Sequence, residues 1–452
     1  MNAAVLLLAA CAVRPEGELA ERDRLAAAGQ PYAEDAVVPE LPARPTVDDY
    51  VRVALLANAD LRARYWEWRA AVEQIPQDSS PPNIALSFDY LLGGGGMSAW
   101  DRTTLGLTND TMTNIPVPSK LATAGRRALE LARAAGLRFE AARFRLQGSV
   151  RSTYSDLALL AETERIQAET VALLRQIAGQ VAVRVQSGSA GTQDQLRAQT
   201  EIELAGNELQ NLRARIPAVT ARLDALLSRT ADAPLPRPEA LPAPRPLDVP
   251  DHELIRIGSE RSPELAALAR DVAGRDEALN LARQAWIPDF GLSFSLTGSI
   301  SQMLGAMLVL PTRTEAIRAG IEQARAGLRA AEAARLQYER DLAASFVLNL
   351  AVLRNDERQV ALFESTIVPR AQQTVQILLT SYPAQRASWL DLLDAQRTLL
   401  DARLALAQLR TEREKALAAI ETWSAVDVEA FAPAGIRGAA GRAAGLAARG
   451  GM

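Results

Sequence analysis

The feature that most constrains this chain is a stripe of small and apolar residues that occurs twice in the same register. Residues spaced alternately four and three positions apart form one face of a helix that packs against other helices. A stripe repeated 197 residues further on predicts two equivalent halves, each with a heptad helix, and Arg413 alone departs from it. The first stripe is Ala198, Ile202, Ala205, Leu209, Leu212, Ile216, Val219, Leu223 and Leu226, and the second is Ala395, Leu399, Ala402, Leu406, Leu409, Arg413, Ala416, Ile420 and Trp423.

Each half also contains a segment in which apolar residues alternate with small or polar ones. A period of two predicts a strand with one apolar and one polar face. Return strands are expected at 103–111 and about 302–310, after turns that contain Gly93–Gly96 and Gly298. Strands of about 8–10 residues suit a tilted membrane-spanning strand. Hairpins packed on the helices of a soluble protein would show the same pattern. The alternating apolar residues are Ile84, Leu86, Phe88 and Tyr90 in the first half, and Phe290, Leu292, Phe294 and Leu296 in the second.

The order of elements in each half is helix, strand, turn, strand, very long helix, short break and heptad helix. A long helix of about 65 residues would extend about 100 Å. Each break, at 186–191 and 382–385, predicts the turn of an antiparallel helical hairpin. The predicted segments are an extended stretch 12–45, repeat one 46–228 (hairpin 84–111, helices 119–185 and 192–228), an extended Pro-rich linker 229–250, repeat two 251–425 (hairpin 290–310, helices 313–381 and 388–424), and a flexible tail 426–452.

The first eleven residues form a short apolar run that ends in Leu8-Ala9-Ala10-Cys11. The run is too short to span a bilayer, which takes about 20 residues, so it predicts a signal segment. Its end resembles the bacterial lipoprotein box, in which the cysteine is lipidated after cleavage, and Cys11 is therefore the expected lipidation site. Neither Lys nor Arg precedes the run, and a buried apolar terminus with an incidental cysteine is the alternative. No transmembrane helix is expected elsewhere.

Composition excludes several classes of function. The net charge of −4 leaves no basic surplus to neutralise phosphates, so nucleic acid is not an expected partner. One histidine, His252, and one cysteine cannot form a zinc cluster or a Cys/His nucleophile pair. Carboxylate pairs such as Asp48 with Asp49 occur in helical, charge-mixed surroundings without the signature of a pocket. We therefore expect neither an enzyme nor a bound metal or cofactor.

Two motifs connect the chain to a known family. The segment from Tyr382 to Gln385, with the run Asp391-Leu392-Leu393-Asp394-Ala395-Gln396-Arg397, resembles the Tyr-x-x-Gly and Asp-x-Leu-Asp-Ala-Gln-Arg motifs of the TolC-type outer membrane efflux proteins. The start of each repeat is also similar to the family's Asn-Pro-Glu/Asp-Leu, as Asn58-Ala59-Asp60-Leu61 and Ser262-Pro263-Glu264-Leu265. The likeness runs from Thr46 to Trp423. Gln385 stands where the family usually has glycine, whereas the first turn keeps Gly188.

This resemblance implies a mainly α fold with a small β part and a tandem structural repeat. Each protomer of a homotrimer would give four membrane strands to one shared β-barrel, and its long antiparallel helical hairpins to an α-barrel across the periplasm. The protein would lie in the outer membrane of a Gram-negative bacterium, in contact with its lipid, and conduct passively from periplasm to exterior. Its partners would be an inner-membrane pump and a periplasmic adaptor, which would dock on the hairpin tips at Gly188 and Gln385.

The resemblance also assigns roles at the periplasmic entrance. Asp391 and Asp394 lie one helical turn apart and share a face. In a trimer they would form stacked rings of carboxylates that concentrate cations, and crowding would raise some of their pKa values. Tyr382 corresponds to a tyrosine that helps to latch the closed entrance. A solvated helix face and ordinary helix packing are the alternatives for these residues. A non-membrane coiled-coil scaffold or binding protein is the alternative for the chain, and the exported substrate is not indicated.

Overall fold

The computed structural model describes residues 13–32, 38–93, 95–109, 115–238, 241–245, 247, 249–384 and 386–426. These residues are mainly helical, with one four-stranded sheet, which confirms the predicted fold class. The elements in chain order are α1 (Glu18–Gly29), α2 (Val47–Ala57), α3 (Ala59–Ser79), β1 (Ile84–Tyr90), β2 (Thr103–Asn109), α4 (Pro118–Gln186), α5 (Thr192–Leu226), α6 (Asp251–Arg261), α7 (Pro263–Arg283), β3 (Asp289–Thr297), β4 (Ser301–Val309), α8 (Thr314–Leu362), α9 (Val368–Ser381) and α10 (Trp389–Ser424).

The chain contains two equivalent halves, and in each of them two helices, a β-hairpin, a long helix and a heptad helix follow one another, where the sequence predicts a single helix before the hairpin. The described residues divide into two compact units. Unit 1 comprises the described residues of Met1–Glu34, Ala63–Glu140 and Pro263–Arg340, and unit 2 those of Asp35–Arg62, Ala141–Ser262 and Asp341–Met452. Among the described residues, no helical segment combines the length and apolar composition needed to cross a bilayer.

The extended conformation expected for 12–45 is wrong at α1. In unit 1 the indole N–H of Trp68 donates to the Glu21 carboxylate of α1 over 2.9 Å. Tyr32, just after the helix, stacks on Tyr65 with ring centroids 5.3 Å apart. Because these contacts join α1 to α3, which follows it by about 30 residues, the local proline content of the segment did not reveal them.

The single helix expected at the start of repeat one is two helices, interrupted at Asn58. The Asn58 amide donates to the carbonyl of Leu226 at the end of α5 over 2.9 Å. Its side-chain oxygen accepts from the backbone N–H of Leu61, also over 2.9 Å, as an N-cap does. The asparagine of the Asn-Ala-Asp-Leu motif thus ends one helix, begins the next and ties both to the heptad helix.

The continuous helix expected over 313–381 contains a wider turn of π-helix at Phe363–Ile367. Pro369, in the first turn of α9, lacks the N–H that would donate to the carbonyl of Ser365 in a regular α-helix. Its ring would also clash with that carbonyl. The wider turn accommodates the proline without ending the helical path.

Arg413, the exception in the second heptad stripe, is buried in an ion network of unit 2. Its guanidinium donates to the carbonyl of Arg245 over 2.6 Å, to Glu357 over 3.0 Å and to Glu414 over 2.7 Å. Arg245, in the Pro-rich linker, donates in turn to Glu414 and Glu421. A charge in the stripe is tolerated because it is fully paired and because it fastens the linker to α10.

Gly258 of α6 leaves room for an aromatic ring of unit 2. A methyl group added at Gly258 would overlap the ring of Phe346, which is fully buried and packs edge-on against Trp423. By contrast, a methyl group added at Gly179 of α4 would meet nothing within 4 Å. Close packing therefore requires glycine at the first position but not at the second.

We expect Gly258→Ala to destabilise the protein by about 1–3 kcal/mol, because the buried ring must move. Gly179→Ala is the matched control and should stabilise it by up to about 1 kcal/mol, since alanine is the better helix former. Thermal unfolding of the purified, detergent-solubilised full chain measures both. Equal midpoints for Gly258→Ala and the parent protein would contradict the proposed packing.

Candidate functional site

The sheet of unit 1 is antiparallel throughout, with strand order β1-β2-β3-β4. Its register pairs Leu86 with Leu107, Leu105 with Leu296, and Leu292 with Ala306. Because side chains alternate between the faces, this register collects most of the apolar residues on one face. Leu86 and Leu304 on that face are 76% and 83% exposed. The opposite face carries Met303, Met307 and Val309 of β4 but mainly small and hydroxyl residues, among them Ser87, Thr104, Gly106, Thr108, Ser293 and Ser295.

Both outer strands of this sheet, β1 and β4, have one edge that pairs with no strand among the described residues. An edge strand presents a row of backbone N–H and C=O groups without partners. The sheet is therefore amphipathic and open at both sides.

The turns of the two β-hairpins are joined by Asp101, which the sequence analysis did not single out. One carboxylate oxygen accepts from the backbone N–H of Ser299 over 2.9 Å and from its hydroxyl over 2.5 Å, and the other from the Ser98 hydroxyl over 2.7 Å. The hydrogen bond from the Ser299 hydroxyl, followed by that from Ser98, lowers the pKa of Asp101 to about 2. Gly298, at φ +46°, brings the second turn against this carboxylate.

The first helical turn, between α4 and α5 of unit 2, closes on Gly188 as predicted from its sequence. Gly188 has φ +72°, a conformation that glycine adopts without strain. The backbone N–H of Ser189 donates to the carbonyl of Arg184 over 2.8 Å, and that of Gly188 to the carbonyl of Val185 over 3.0 Å. These bonds satisfy carbonyls that the end of α4 leaves free, so the backbone requires glycine here.

The second helical turn, between α9 and α10, ends in a capping box. The Ser388 hydroxyl accepts from the backbone N–H of Asp391, and the Asp391 carboxylate accepts from the Ser388 N–H over 3.0 Å and the hydroxyl over 2.7 Å. The Asp391 side chain thus belongs to the local structure that begins α10. Gln385, the other residue predicted at a hairpin tip, and Cys11 lie outside the described residues.

Tyr382 joins the second helical turn to the first. Its side chain is 1% exposed in a cluster that includes Ile177 of α4 and Leu392 of α10. The guanidinium carbon of Arg184 lies 4.5 Å from the centre of the Tyr382 ring, and the guanidinium donates to the Tyr382 carbonyl over 3.3 Å. Burial raises the pKa of the Tyr382 phenol above its ordinary value. The position suits a latch between the hairpins, and that role stays a prediction.

Arg184 is the residue of this contact that the sequence analysis missed. A basic residue in the last turn of a helix, four positions before a glycine, is common at helix ends because it complements the helix dipole. That signal places Arg184 near the turn but does not reveal that it covers Tyr382, about 200 residues away.

Asp391 and Asp394 are both exposed on one face of α10, as their spacing predicts. Crowding of these carboxyls would arise between the protomers of a trimer, so its effect on their pKa values stays a prediction. Hydrogen bonds from the Ser388 hydroxyl, and then from its backbone N–H, lower the pKa of Asp391 below its ordinary value. The arrangement keeps Asp391 ionised over a wider pH range than a free aspartate.

The sequence of the second repeat matches a known family. A family profile described as outer membrane efflux protein covers residues 254–425, which include α10 and both acidic residues. This segment is therefore similar to members of the outer membrane efflux protein family. The members of that family are channels and not enzymes, in agreement with the expectation from composition. Among curated proteins, none matches the chain significantly.

Solved structures with the same fold extend the likeness to most of the chain. VceC of Vibrio cholerae is 17% identical, with 84% of this chain and 95% of VceC covered and a TM-score of 0.71. The Campylobacter jejuni CmeC outer membrane channel is 16% identical, with 88% and 90% covered and a TM-score of 0.70. The Neisseria gonorrhoeae MtrE outer membrane channel, in its open state, is 19% identical, with 88% and 95% covered and a TM-score of 0.67. At these identities the comparisons establish a shared fold.

We expect Ser388→Ala to weaken the start of α10, because the hydroxyl is both the acceptor of the cap and a donor to Asp391. Loss of an N-cap costs about 1 kcal/mol, so amide hydrogen exchange in the first turn should become about fivefold faster. Thr398→Ala is the control, since that hydroxyl donates within the helix, to the carbonyl of Asp394. Exchange measured by mass spectrometry on the intact protein would contradict the capping role if the two variants behaved alike.

The same measurement has a pH dependence with a definite sign. The pKa of Asp391 is lowered in the folded protein, so its stabilising contribution is present above the ordinary pKa of about 3.9 and is lost as the pH falls through the lowered value. Protection of the first turn should therefore be constant at neutral pH and decrease only in strong acid.

Proposed function

We propose that this chain is the outer membrane channel component of a tripartite efflux pump, a passive conduit for small molecules or ions from the periplasm to the exterior. The observation that carries the proposal is the four-stranded sheet, which has an exposed apolar face and two open edges. A non-membrane coiled-coil scaffold, the alternative that the sequence left open, has no use for such a sheet and is not favoured.

A homotrimer follows from the chemistry of the sheet together with the family. In lipid, no water replaces the missing partners of backbone groups, and each unpaired group costs several kcal/mol. An open sheet cannot remain in a membrane, whereas a barrel shared between protomers pairs β1 of one with β4 of the next. Four strands from each of three protomers give the 12-stranded barrel that the family resemblance implies. The apolar face would then contact outer membrane lipid and the hydroxyl-rich face would line the pore.

The helical turns of unit 2 would form the periplasmic entrance and the contact with partners. Asp391 and Asp394 supply a carboxylate pair on an exposed helix face. We place them at the entrance of the trimer, where rings of negative charge attract cations and repel anions. The turns around Gly188 and Gln385 would receive a periplasmic adaptor, which couples the conduit to an inner-membrane pump. Lipidation of Cys11 would add an anchor in the membrane.

The test of this function is reconstitution of the purified protein in planar bilayers. We expect a detergent-stable trimer that conducts ions with a preference for cations. Asp394→Asn should reduce that preference, because Asp394 lies on the proposed entrance face and removal of its charge weakens each ring. Asp60→Asn is the control, because it removes the same charge from the first turn of α3 and not from α10, which carries the proposed entrance residues. A chain that stays monomeric and produces no ion current across the bilayer would refute the proposed function. A trimer whose selectivity ignores Asp394 would refute only the entrance role.

The latch proposed at Tyr382 has its own test. Arg184→Met removes the cation over the ring and the hydrogen bond to the Tyr382 carbonyl but keeps an aliphatic side chain of similar reach. The two hairpins should then separate more readily, so we expect the variant to spend more time open, with a severalfold higher mean conductance. Arg175→Met, in the same helix α4, is the control. Unchanged conductance in Arg184→Met would exclude a latch at this contact.

A further inference from the structure

The sheet of unit 1 continues into exposed apolar residues at the end where it meets the helices. Asp289, the first residue of β3, pairs with Val309, the last of β4, so the chain enters and leaves this hairpin at the same end of the sheet. Trp286 and Ile287, just before β3, and Leu310, just after β4, are all exposed. The apolar surface therefore extends beyond the last paired residues.

The connection between α7 and β3 is fixed against the start of α4. The Gln284 amide donates to the hydroxyl of Thr123 over 2.9 Å. The Lys120 ammonium donates to the Ile287 carbonyl and to the Asp289 carboxylate, over 2.7 Å in each case. These bonds hold the exposed indole of this connection at a defined position beside the end of the sheet.

Two arginines border the same end of the sheet without an acidic partner. Arg283, the last residue of α7, is exposed and donates to the neutral amide oxygen of Asn280 over 3.4 Å. Arg313, between β4 and α8, is exposed as well, and neither arginine forms an ion pair among the residues that the structure describes. Glu315, the nearest carboxylate in sequence to Arg313, pairs with Arg318 over 3.2 Å. The two arginines therefore leave a surplus of positive charge beside the apolar residues.

The position of Arg313 is unfavourable unless an anion lies nearby. Helix α8 begins at Thr314, so Arg313 directly precedes the positive end of a helix of 49 residues. A helix N-terminus repels a cation and attracts an anion, and phosphate groups are common ligands of such helix ends. Arg283, at the negative end of α7, needs no such explanation. The arginine and the helix terminus at α8 thus favour the same kind of ligand.

The length of the strands places these arginines at the level of lipid headgroups. Strands β3 and β4 have nine residues each. A strand of this length, which rises about 3.3 Å per residue and is tilted by about 40°, spans about 23 Å, close to the apolar band of about 25 Å on membrane β-barrels. Residues a few positions beyond the strands then lie where the headgroups begin, and tryptophan is enriched at the same level.

We propose that Arg283 and Arg313, with Trp286 and Leu310, bind anionic phospholipids of the leaflet that faces the helices. The guanidinium groups would pair with the lipid phosphate, Arg313 together with the backbone N–H groups at the start of α8. The indole and the leucine would contact the acyl chains. This inference rests on the proposed function, because it requires the sheet to lie in a membrane, and it adds the chemistry of the lipid that the protein prefers.

The experiment is native mass spectrometry of the detergent-solubilised full chain, titrated with dioleoylphosphatidylglycerol. Dioleoylglycerol, which has the same acyl chains but no phosphate, is the comparison lipid. We expect the phospholipid to bind more tightly by a factor on the order of 20, because each arginine near an anionic headgroup contributes about fivefold. Millimolar inorganic phosphate should not displace it, since the free anion lacks the acyl chains. Equal binding of the two lipids, or displacement by inorganic phosphate, would overturn the proposal.

Substitutions separate the charged contact from the apolar one. Arg313→Gln and Arg283→Gln should each weaken binding of the phospholipid about fivefold and leave binding of dioleoylglycerol unchanged. Arg335→Gln is the matched control, because Arg335 is exposed on the same helix as Arg313 but about 33 Å further along it. Trp286→Ala should weaken binding of both lipids by the same factor. Parent-like binding of the phospholipid by the Arg283→Gln/Arg313→Gln double variant would refute the site.

Bilayer recordings of the parent protein distinguish failure of this site from failure of the proposed function. A trimer that conducts ions but binds both lipids equally would overturn the headgroup site alone. A monomer that gives no ion current would refute the proposed function, on which the site depends.

Discussion

Backbone hydrogen bonding at the two edges of the four-stranded sheet is the constraint on which the rest of this structure depends. Among the residues that the structure describes, each inner strand is paired on both sides, but β1 and β4 pair with another strand on one side only. The apolar face of the same sheet is exposed. Water could satisfy the edges but not the face, and lipid could cover the face but not the edges. Closure with further copies in a membrane satisfies both at once.

The helices of unit 2 also have apolar side chains that are exposed. Their heptad stripes bury small and apolar residues inside the unit, yet Val183, Ile377 and Leu390 around the helical turns are exposed by half or more. Singly exposed apolar residues are ordinary on a protein surface. These three are of interest because they lie near the helical turns that we propose as the contact with partners.

Local periodicity explains how much of the fold could be predicted. The strands and long helices lie within a residue or two of their expected limits, because alternation and heptad spacing are properties of neighbouring residues. The helix α1, the π-helical turn before Pro369 and the partners of Arg413 were not predicted. Each depends on contacts between residues far apart in sequence, or on a backbone adjustment that composition does not specify.

The same distinction between local patterns and long-range contacts applies to the candidate site. The turn at Gly188 and the shared face of Asp391 and Asp394 follow from backbone preference and helical spacing, and the sequence indicated both. Two other contacts have no local signature because they join residues far apart in sequence. They are the stacking of the Arg184 guanidinium on Tyr382 and the hydrogen bond from Ser299 to Asp101. The polar face of the sheet was expected from the pattern, whereas its register across four strands came only with the structure.

The two aspartates that we propose for the entrance are a pair in sequence, but their physical roles differ. Asp391 accepts two hydrogen bonds from Ser388, which fix its carboxylate at the first turn of α10 and keep it ionised. Asp394 lies one turn further along, exposed and outside the capping box. A substitution at Asp391 therefore changes the start of the helix together with the charge, whereas one at Asp394 changes the charge with less disturbance of the backbone. A change in ion selectivity is therefore easier to interpret after substitution of Asp394, because the charge of Asp391 and the start of α10 are then unchanged.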